Sequence, residues 1–153
     1  HAGHSEPVSP RLSALLERER AGGLDRLETY GQFREQVRET KRKLLTLLIG
    51  LKRSGKRIVG YGAPAKGNTL LNYCGIGPDF LDYTVDRSPA KQGLLLPGTR
   101  IPVLAPEHLL ADRPDYVLIL PWNIQGEVLA QMAAVREWGG RFIVPIPDPE
   151  ILP

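Results

Sequence analysis

Apolar positions repeat at helical spacing over the first third of the chain. Ser9-Pro10 predicts the start of a first helix, because serine caps a helix N-terminus and proline suits the first helical position. Gly22-Gly23 predicts its end. A second helix is predicted from about Leu24 or Tyr30 to Arg53, since apolar residues recur there every three or four positions.

Beyond residue 56 the pattern changes to short apolar runs separated by helix-like stretches. The predicted strands are 57–61, 81–86, 115–120 and 141–145, and the predicted helices are 66–73, 106–111 and 124–138. Strands that alternate with helices favour a parallel sheet covered on both faces, and right-handed crossovers restrict it to a Rossmann-like topology. We therefore expect a single α/β domain, Rossmann-like over 57–153, with an N-terminal helical segment at 1–56 that packs on it.

Ligands of such sheets bind at the carboxyl ends of the strands, where the strand order reverses. In the usual order, this crevice lies between the first strand and the fourth. Its rim is expected to consist of the loop 62–67 and the loop 121–124, with Asp86 at the end of the second strand nearby. The sequence predicts a functional site at these three places.

Composition indicates one ordinary globular domain, with 153 residues of which 42% are hydrophobic and 24% are charged. The one cysteine, Cys74, excludes an internal disulfide and a cysteine-based zinc site, and it is typical of a reducing, cytoplasmic compartment. The sequence contains no apolar run long enough to span a membrane and no metal-ligand spacing. Because the chain starts at His1 without a methionine, we interpret it as a processed product or a fragment of a longer protein.

Positive charge is concentrated in residues 34–57, which contain nine lysines and arginines against Glu35 and Glu39. Such a stretch is typical either of a surface for nucleic acid or another anionic partner, or of a solvated helix face. Since no aromatic residues are interleaved and no nucleic-acid motif accompanies it, the solvated face is favoured. No nucleic-acid partner is expected.

The glycine-rich stretch "GYGAPAKGNTLL" at residues 60–71 is the main candidate for chemistry. Its pattern Gly60-x-Gly62-x-x-Ala65 matches a dinucleotide fingerprint, and Asp86 is a candidate ribose-binding acid. The match is weak, because Pro64 removes an amide donor from the turn. Lys66 also places a full charge where a pyrophosphate normally meets only backbone N–H groups.

Three other interpretations follow from the same residues, and the first of them, a P-loop for metal-nucleotide hydrolysis, is disfavoured. A P-loop pattern is nearly matched by Gly62-x-x-x-x-Gly67-Asn68-Thr69, but the lysine that should follow the second glycine is missing. More simply, amides at a helix N-terminus, Lys66 and the polar side chains of Asn68 and Thr69 form an anion site. A tight strand-to-helix turn with a solvated Lys66 explains the same residues equally well.

The other residues expected around the crevice are weaker candidates. Tyr61 is more typical of a core residue than of a ligand contact. Trp122-Asn123 is equally consistent with stacking on a base or sugar and with a packed strand cap. Asp86 is equally consistent with binding a hydroxyl group and with a surface ion pair. Because a Ser-His-Asp arrangement has no local support, no catalytic residue is assigned.

Four successive stretches of the chain resemble one family of enzymes. "GYGAPAKGNTLLNYCGI", "VDRSPAKQGLLLPGTRIPV", "PDYVLILPWNI" and "GGRFIVPIPDPEIL" look, in order and spacing, like the C-terminal domain of sugar C-methyltransferases. The opening stretch "HSEPVSPRLSALLERER" also resembles the linker and helix that begin that domain. The resemblance covers nearly the whole chain.

This resemblance implies a parent enzyme with an N-terminal cysteine-rich zinc motif, a central S-adenosylmethionine-binding domain and this Rossmann-like C-terminal domain. Such enzymes methylate a carbon of a nucleotide-linked keto-deoxysugar, typically one linked to thymidine diphosphate (TDP). A general base removes the proton beside the keto group, and the enolate attacks the methyl group of S-adenosylmethionine. The reacting residues belong to the central domain, so the resemblance implies a chain that is inactive alone.

Carried over to this sequence, the resemblance implies that the glycine-rich loop contacts the ligand. The implied substrate-binding residues are Tyr61, Gly62, Ala63, Ala65, Lys66, Gly67, Asn68 and Thr69, with Asp86, Trp122 and Asn123 as secondary candidates. The expected partners are a TDP-sugar and the protein's own N-terminal methyltransferase domain, which would bind the S-adenosylmethionine. The alternative is a free-standing NAD(P)-binding domain, as half of a redox enzyme or as a sensor. This alternative is favoured by the pattern Gly60-x-Gly62-x-x-Ala65 and by Asp86.

Overall fold

A computed structural model describes residues 9–153 of the chain. The chain divides into two compact units between Arg38 and Glu39, within the second helix. The boundary between residues 56 and 57, as expected from the sequence, stays a prediction. Residues 4–8, which open the stretch that resembles the family's linker, lie outside the described residues.

The first unit contains the helix α1 (Pro10–Ala21) and the beginning of the helix α2 (Leu27–Arg53). Ser9 caps α1 as predicted, because its Oγ accepts a hydrogen bond from the Leu12 backbone N–H at 3.3 Å. The turn between the helices is held by the Tyr30 hydroxyl, which donates to the Leu24 carbonyl at 2.6 Å.

A six-stranded sheet forms the centre of the second unit, in the order β3-β2-β1-β4-β5-β6. The strands are β1 (Ile58–Tyr61), β2 (Thr84–Val85), β3 (Val103–Leu104), β4 (Tyr116–Ile119), β5 (Arg141–Val144) and β6 (Glu150–Leu152). The first five are parallel, which confirms the Rossmann-like α/β fold. The sheet has one antiparallel edge strand that the sequence did not predict, since β6 pairs with β5 in the antiparallel sense.

The helices of this unit after α2 are α3 (Ala65–Cys74), α4 (Pro106–Asp112) and α5 (Gln125–Gln131). The predicted helix 124–138 is wrong as one element. A 3-10 turn at Trp122–Ile124 precedes α5, and a 3-10 segment at Ala133–Trp138 follows it.

The core lies on both sides of the sheet, because side chains alternate along buried strands. Leu118 and Leu120 face the side covered by α2 and α3, where Leu44 and Leu71 are fully buried. On the opposite side, α4, α5 and the residues after α5 cover the sheet. The buried hydrophobic cluster on this side contains Val59, Val117, Ile119, Phe142, Leu109, Val128 and Val135. The helices on both faces confirm the predicted layering.

Two features are absent from the described part of the chain, residues 9–153. None of the helices there has both the length and the apolar character needed to cross a membrane. In the same part of the chain, no three or more His, Cys, Asp or Glu residues are grouped so that they could hold a metal ion.

Candidate functional site

The three predicted places meet at the carboxyl edge of the sheet. The strands β1 and β4 are neighbours, and the chain leaves them in opposite directions across the sheet, so the strand order reverses there. The loop after β1 and the loop after β4 form the two sides of the crevice. Lys66 joins them, because its Nζ donates to Asn123 Oδ1 and lies 4.9 Å from the centre of the Trp122 ring.

Glycine is required at Gly62 and Gly67 because the chain packs closely at both positions. Gly62 follows β1 with φ +87°, and a Cβ atom there would lie 2.7 Å from Pro121 Cδ. A Cβ atom on Gly67 would lie 2.7 Å from Leu120 Cβ. The loop therefore makes its tight turn at Gly62, and α3 packs closely on the end of β4 at Gly67.

This geometry changes the register in which the loop compares with a dinucleotide fingerprint. In the fingerprint, the first glycine makes the tight turn, the second lets the backbone approach the pyrophosphate, and the third packs the helix on the strand. Gly62 and Gly67 take the first and third roles here, five residues apart, while Gly60 lies inside β1 and donates its N–H to the Tyr83 carbonyl at 2.8 Å. The second position then falls on Pro64, whose ring occupies it and which has no N–H.

Three backbone N–H groups at the start of α3 have no hydrogen-bond partner among residues 9–153. Gly62 N–H donates to the Val85 carbonyl at 2.6 Å, and Ala63 N–H donates to Asp86 Oδ2 at 2.7 Å. Pro64 is the N-cap residue and gives no side-chain cap. Within the described part of the chain, no hydrogen bond is found for the N–H groups of residues 65–67. Such a helix start attracts an anion, because its N–H groups and the helix dipole both point toward it.

Asp86 lies after β2 as predicted, but protein groups already bind its carboxylate. Besides Ala63 N–H, the Ser88 N–H donates to its Oδ1 at 2.8 Å, and Lys91 Nζ lies 3.2 Å from its Oδ2. Partial burial by itself raises the pKa of Asp86, but the hydrogen bonds from Ser88, Ala63 and Lys91 outweigh it and lower that pKa. Asp86 is therefore ionised, and both of its carboxylate oxygens accept hydrogen bonds from other groups of the protein.

Lys91 completes a clamp around one residue of the loop. Its Nζ also donates to the Ala63 carbonyl at 3.0 Å, while Asp86 accepts from the N–H of the same residue. The Gln92 side chain donates to the Asp86 carbonyl at 2.9 Å and fixes the acid's own backbone. Sequence reasoning missed the roles of Lys91 and Gln92. The spacing of Asp86 and Ser88, which is that of an Asx turn, was the available local signal.

The remaining predicted residues are distributed differently. Tyr61 is 6% exposed, and its hydroxyl donates to Gln131 Oε1 at 3.0 Å, so its ring lies in the core. Burial raises the pKa of this phenol, and the charge of nearby Arg87 opposes that shift. The Thr69 hydroxyl donates to the Ala65 carbonyl at 3.1 Å on an exposed turn of α3. Asn68 Oδ1 is buried, and no hydrogen-bond donor to it is found among the described residues.

Three lysines of the second unit before β1 take part in ion pairs with carboxylates. Lys43 pairs with Asp148 at 2.6 Å, and Lys56 pairs with Asp115 at 3.0 Å. Lys52 lies 3.7 Å from an oxygen of Asp82. These pairs favour the interpretation of residues 34–57 as an ordinary solvated surface over that of an anionic-partner module.

Comparisons with known proteins agree with the resemblance. The family model described as the C-methyltransferase C-terminal domain matches residues 1–147. The chain is 38% identical over 151 residues to the C-methyltransferase NovU of Streptomyces niveus. This match covers 99% of the chain but 36% of that protein, so the chain spans about a third of this relative's length.

Among solved structures, the chain is similar to the UDP-D-quinovosamine 4-dehydrogenase of Vibrio fischeri. The two share 22% sequence identity and a TM-score of 0.43, over 61% of this chain and 79% of that one. This likeness is too distant to bear on function. The family match and the identity to the C-methyltransferase show that the chain belongs to the family of C-methyltransferase C-terminal domains.

Proposed function

We propose that this chain is the sugar-nucleotide-binding part of an S-adenosylmethionine-dependent C-methyltransferase that acts on a nucleotide-linked keto-deoxysugar. Its role is to hold the diphosphate of the substrate at the crevice between β1 and β4. The chemistry takes place on a preceding catalytic domain, and the chain alone is inactive. Methyl transfer by the isolated chain would contradict this last point.

The observation that carries the proposal is the set of free donors at the start of α3. The N–H groups of residues 65–67 have no acceptor in the described part of the chain, and Lys66 adds a full positive charge beside them. They lie at the point where the strand order reverses, which is where open α/β sheets bind ligands. A diphosphate supplies both the acceptor oxygens and the negative charge that this arrangement lacks.

Other polar groups of the crevice fit the rest of a sugar nucleotide. Trp122 is half-buried and offers an aromatic face beside Lys66, suitable for stacking on a base or a sugar ring. Asn123 is exposed and can exchange its contact with Lys66 for a contact with the substrate. Asp86 and Lys91 act indirectly by fixing both backbone groups of Ala63.

The NAD(P)-binding alternative is disfavoured by Pro64. A dinucleotide pyrophosphate normally approaches the backbone at the second glycine of the fingerprint, and here a proline ring fills that position without an N–H to donate. Asp86, the candidate ribose acid of that alternative, has its carboxylate oxygens bound by Ala63, Ser88 and Lys91. Neither half of the dinucleotide pattern is therefore available in its usual form.

S-adenosylmethionine does not fit this crevice either. The cofactor carries a sulfonium cation and is positively charged overall at neutral pH, whereas the rim of the crevice carries Lys66, Arg87 and Lys91. The nearby carboxylate, Asp86, is already bonded. With a lowered pKa and three donors on its oxygens, Asp86 is also a poor base for removing a proton beside a keto group. Both points agree with a cofactor and a base that belong to the catalytic domain.

The test is a titration of the chain with deoxythymidine diphosphate, followed by amide chemical shifts in nuclear magnetic resonance. We expect the largest shifts at Ala65, Lys66 and Gly67, whose N–H groups gain an acceptor. Half of the substrate-binding surface belongs to another domain, so a dissociation constant of about 1 mM, or about −4 kcal/mol, is expected. Thymidine, which lacks the phosphates, should leave these three amides unchanged.

Two lysine variants separate a specific site from general attraction to positive charge. Lys66→Ala should weaken the binding strongly. Lys56→Ala removes the same charge at the opposite edge of the sheet, where Lys56 pairs with Asp115, and should bind like the unmodified chain. Equal binding by the two variants would contradict the proposal. So would the absence of shifts at 65–67 at saturating ligand, or tighter binding of NAD than of the diphosphate at these residues.

A further inference from the structure

The helices of residues 9–38 carry an apolar surface without a core beneath it. Neither α1 nor the part of α2 before residue 39 contains a buried residue. Large apolar side chains are nevertheless frequent there. The exposed ones are Leu12 (44%), Leu15 (41%), Leu16 (39%), Leu24 (49%), Leu27 (84%), Tyr30 (54%) and Phe33 (63%). We call these seven residues the apolar face.

The spacing of the apolar face shows organised helix surfaces. Leu12, Leu15 and Leu16 are three and four positions apart, so they share one side of α1. Leu27, Tyr30 and Phe33 are three positions apart and follow one another along α2. Amphipathic helices in proteins gain most of their stability by packing such a side against another surface. An apolar surface of this kind is typical of an interaction site.

We propose that the apolar face docks on the catalytic domain that precedes this domain in the longer proteins of its family. This inference rests on the proposed function, because it takes the chain to be one part of a larger methyltransferase. The family is that of a C-terminal domain, so the region its longer members carry in addition precedes it. In the C-methyltransferase of Streptomyces niveus, the match leaves about two thirds of the protein outside it.

The position of the apolar face in the chain favours this occupant. The apolar face lies in the first two described helices and the turn between them, on the N-terminal side of the α/β unit in the sequence. Because a preceding domain is part of the same polypeptide, its docking is intramolecular, and a high effective concentration then allows a modest apolar surface to hold two domains together. Such docking would also keep the catalytic domain next to the domain that holds the sugar nucleotide.

The experiment compares amide hydrogen exchange in the isolated chain and in the full-length protein. We expect exchange across residues 10–38 to be at least about tenfold slower in the full-length protein, because docking suppresses local opening of these helices. Replacing Leu27→Glu together with Phe33→Glu should abolish this additional protection. Gln32→Glu introduces one glutamate on the opposite side of α2 and should preserve the protection.

Light scattering of the isolated chain tests a second copy as the occupant. A dimer that the Leu27→Glu, Phe33→Glu variant dissociates would overturn the proposal in favour of self-association. Equal exchange in the isolated and full-length proteins, or an equal loss of protection with Gln32→Glu, would also overturn it.

The diphosphate titration distinguishes this inference from the proposed function. The variant with Leu27→Glu and Phe33→Glu should retain the shifts at residues 65–67, which shows that the α/β unit is intact. If the titration fails in every variant while the protection pattern is as expected, the proposed diphosphate site is wrong and the docking proposal stands. If diphosphate binding persists and the additional protection never appears, the docking proposal is wrong and the diphosphate site stands.

Discussion

Replacing Gly67 by alanine tests the close contact between α3 and the end of β4. A Cβ atom at this position would lie 2.7 Å from Leu120 Cβ and 3.2 Å from Pro64 Cγ. Leu120 is fully buried, so it cannot simply move into solvent. Gly67 does not have a positive φ, and the expected effect therefore comes from the contact and not from backbone strain.

The expected magnitude is the difference between two opposing contributions. Alanine is favoured over glycine inside a helix by about 1 kcal/mol. Forcing an additional carbon into a packed core costs roughly 1–3 kcal/mol. Gly67→Ala should therefore lower the free energy of unfolding by up to about 2 kcal/mol. Intrinsic helix propensity alone predicts the opposite sign.

Gly50→Ala is the matched control for this change. Gly50 lies inside α2, it is exposed, and a Cβ atom there would meet nothing within 4 Å. Only the helix propensity then applies, and the variant should be more stable by about 0.5–1 kcal/mol. The two glycine-to-alanine variants should thus differ by roughly 1–3 kcal/mol in opposite directions.

The assay is urea unfolding of the chain and of both variants, followed by circular dichroism. The change in midpoint at constant slope gives the difference in the free energy of unfolding. In a thermal scan, each 1 kcal/mol corresponds to about 2–4 °C for a domain of this size. If Gly67→Ala stabilised the chain as much as Gly50→Ala, the close packing of α3 against Leu120 would be refuted.

Three more predictions concern Asp86, Asp115 and Cys74. Asp86→Asn keeps an acceptor for Ala63 N–H but loses the charge that Lys91 contacts, so diphosphate binding should weaken without loss of the fold; unchanged affinity would contradict the clamp. The pKa of Asp115 is lowered, first by the Arg57 N–H, and its ionised form thus stabilises the fold above the ordinary value of 3.8. This contribution is lost as the pH falls through the lower folded pKa. Asp115→Asn should therefore flatten the decline in unfolding free energy measured from pH 5 to pH 2.5, and an unaltered slope would count against it. Burial raises the pKa of the Cys74 thiol, so iodoacetamide should label it slowly at pH 8 in the native chain and quickly in urea; fast native labelling would disprove this.

The order of elements was predictable because local sequence carries it. Short apolar runs predicted β1, β4 and β5 within a residue or so of their ends, since buried parallel strands require such runs. The strands β3 and β6 were missed. Each is only two or three residues long, too short to show an apolar pattern of its own. The strand β3 is defined by pairing with β2, as in the hydrogen bond from Thr84 N–H to the Pro102 carbonyl, and β6 is defined by its antiparallel pairing with β5.

The site was predictable in position more than in detail. The sequence placed the loop 62–67, Asp86 and the loop 121–124 at one edge, and the contacts of Lys66 and Ala63 bring them together. The register of the glycines was missed. The fingerprint was matched from Gly60, although the predicted strand 57–61 already included that residue, and the close contacts of Gly62 and Gly67 give the register instead.

By itself, the sequence determined the family, the α/β fold class and the edge of the sheet at which we propose that a ligand binds. These follow from local patterns, namely the apolar periodicity, glycine placement and short motifs, which do not depend on distant contacts. Only the tertiary structure decided how the loop is held: Gly62 against Pro121, Gly67 against Leu120, and Ala63 between Asp86 and Lys91. It also decided that Tyr61 lies in the core and that the amides of residues 65–67 stay free. The physical reason is that packing and hydrogen-bond satisfaction depend on which side chains the fold brings within a few ångströms, and sequence spacing does not specify those distances.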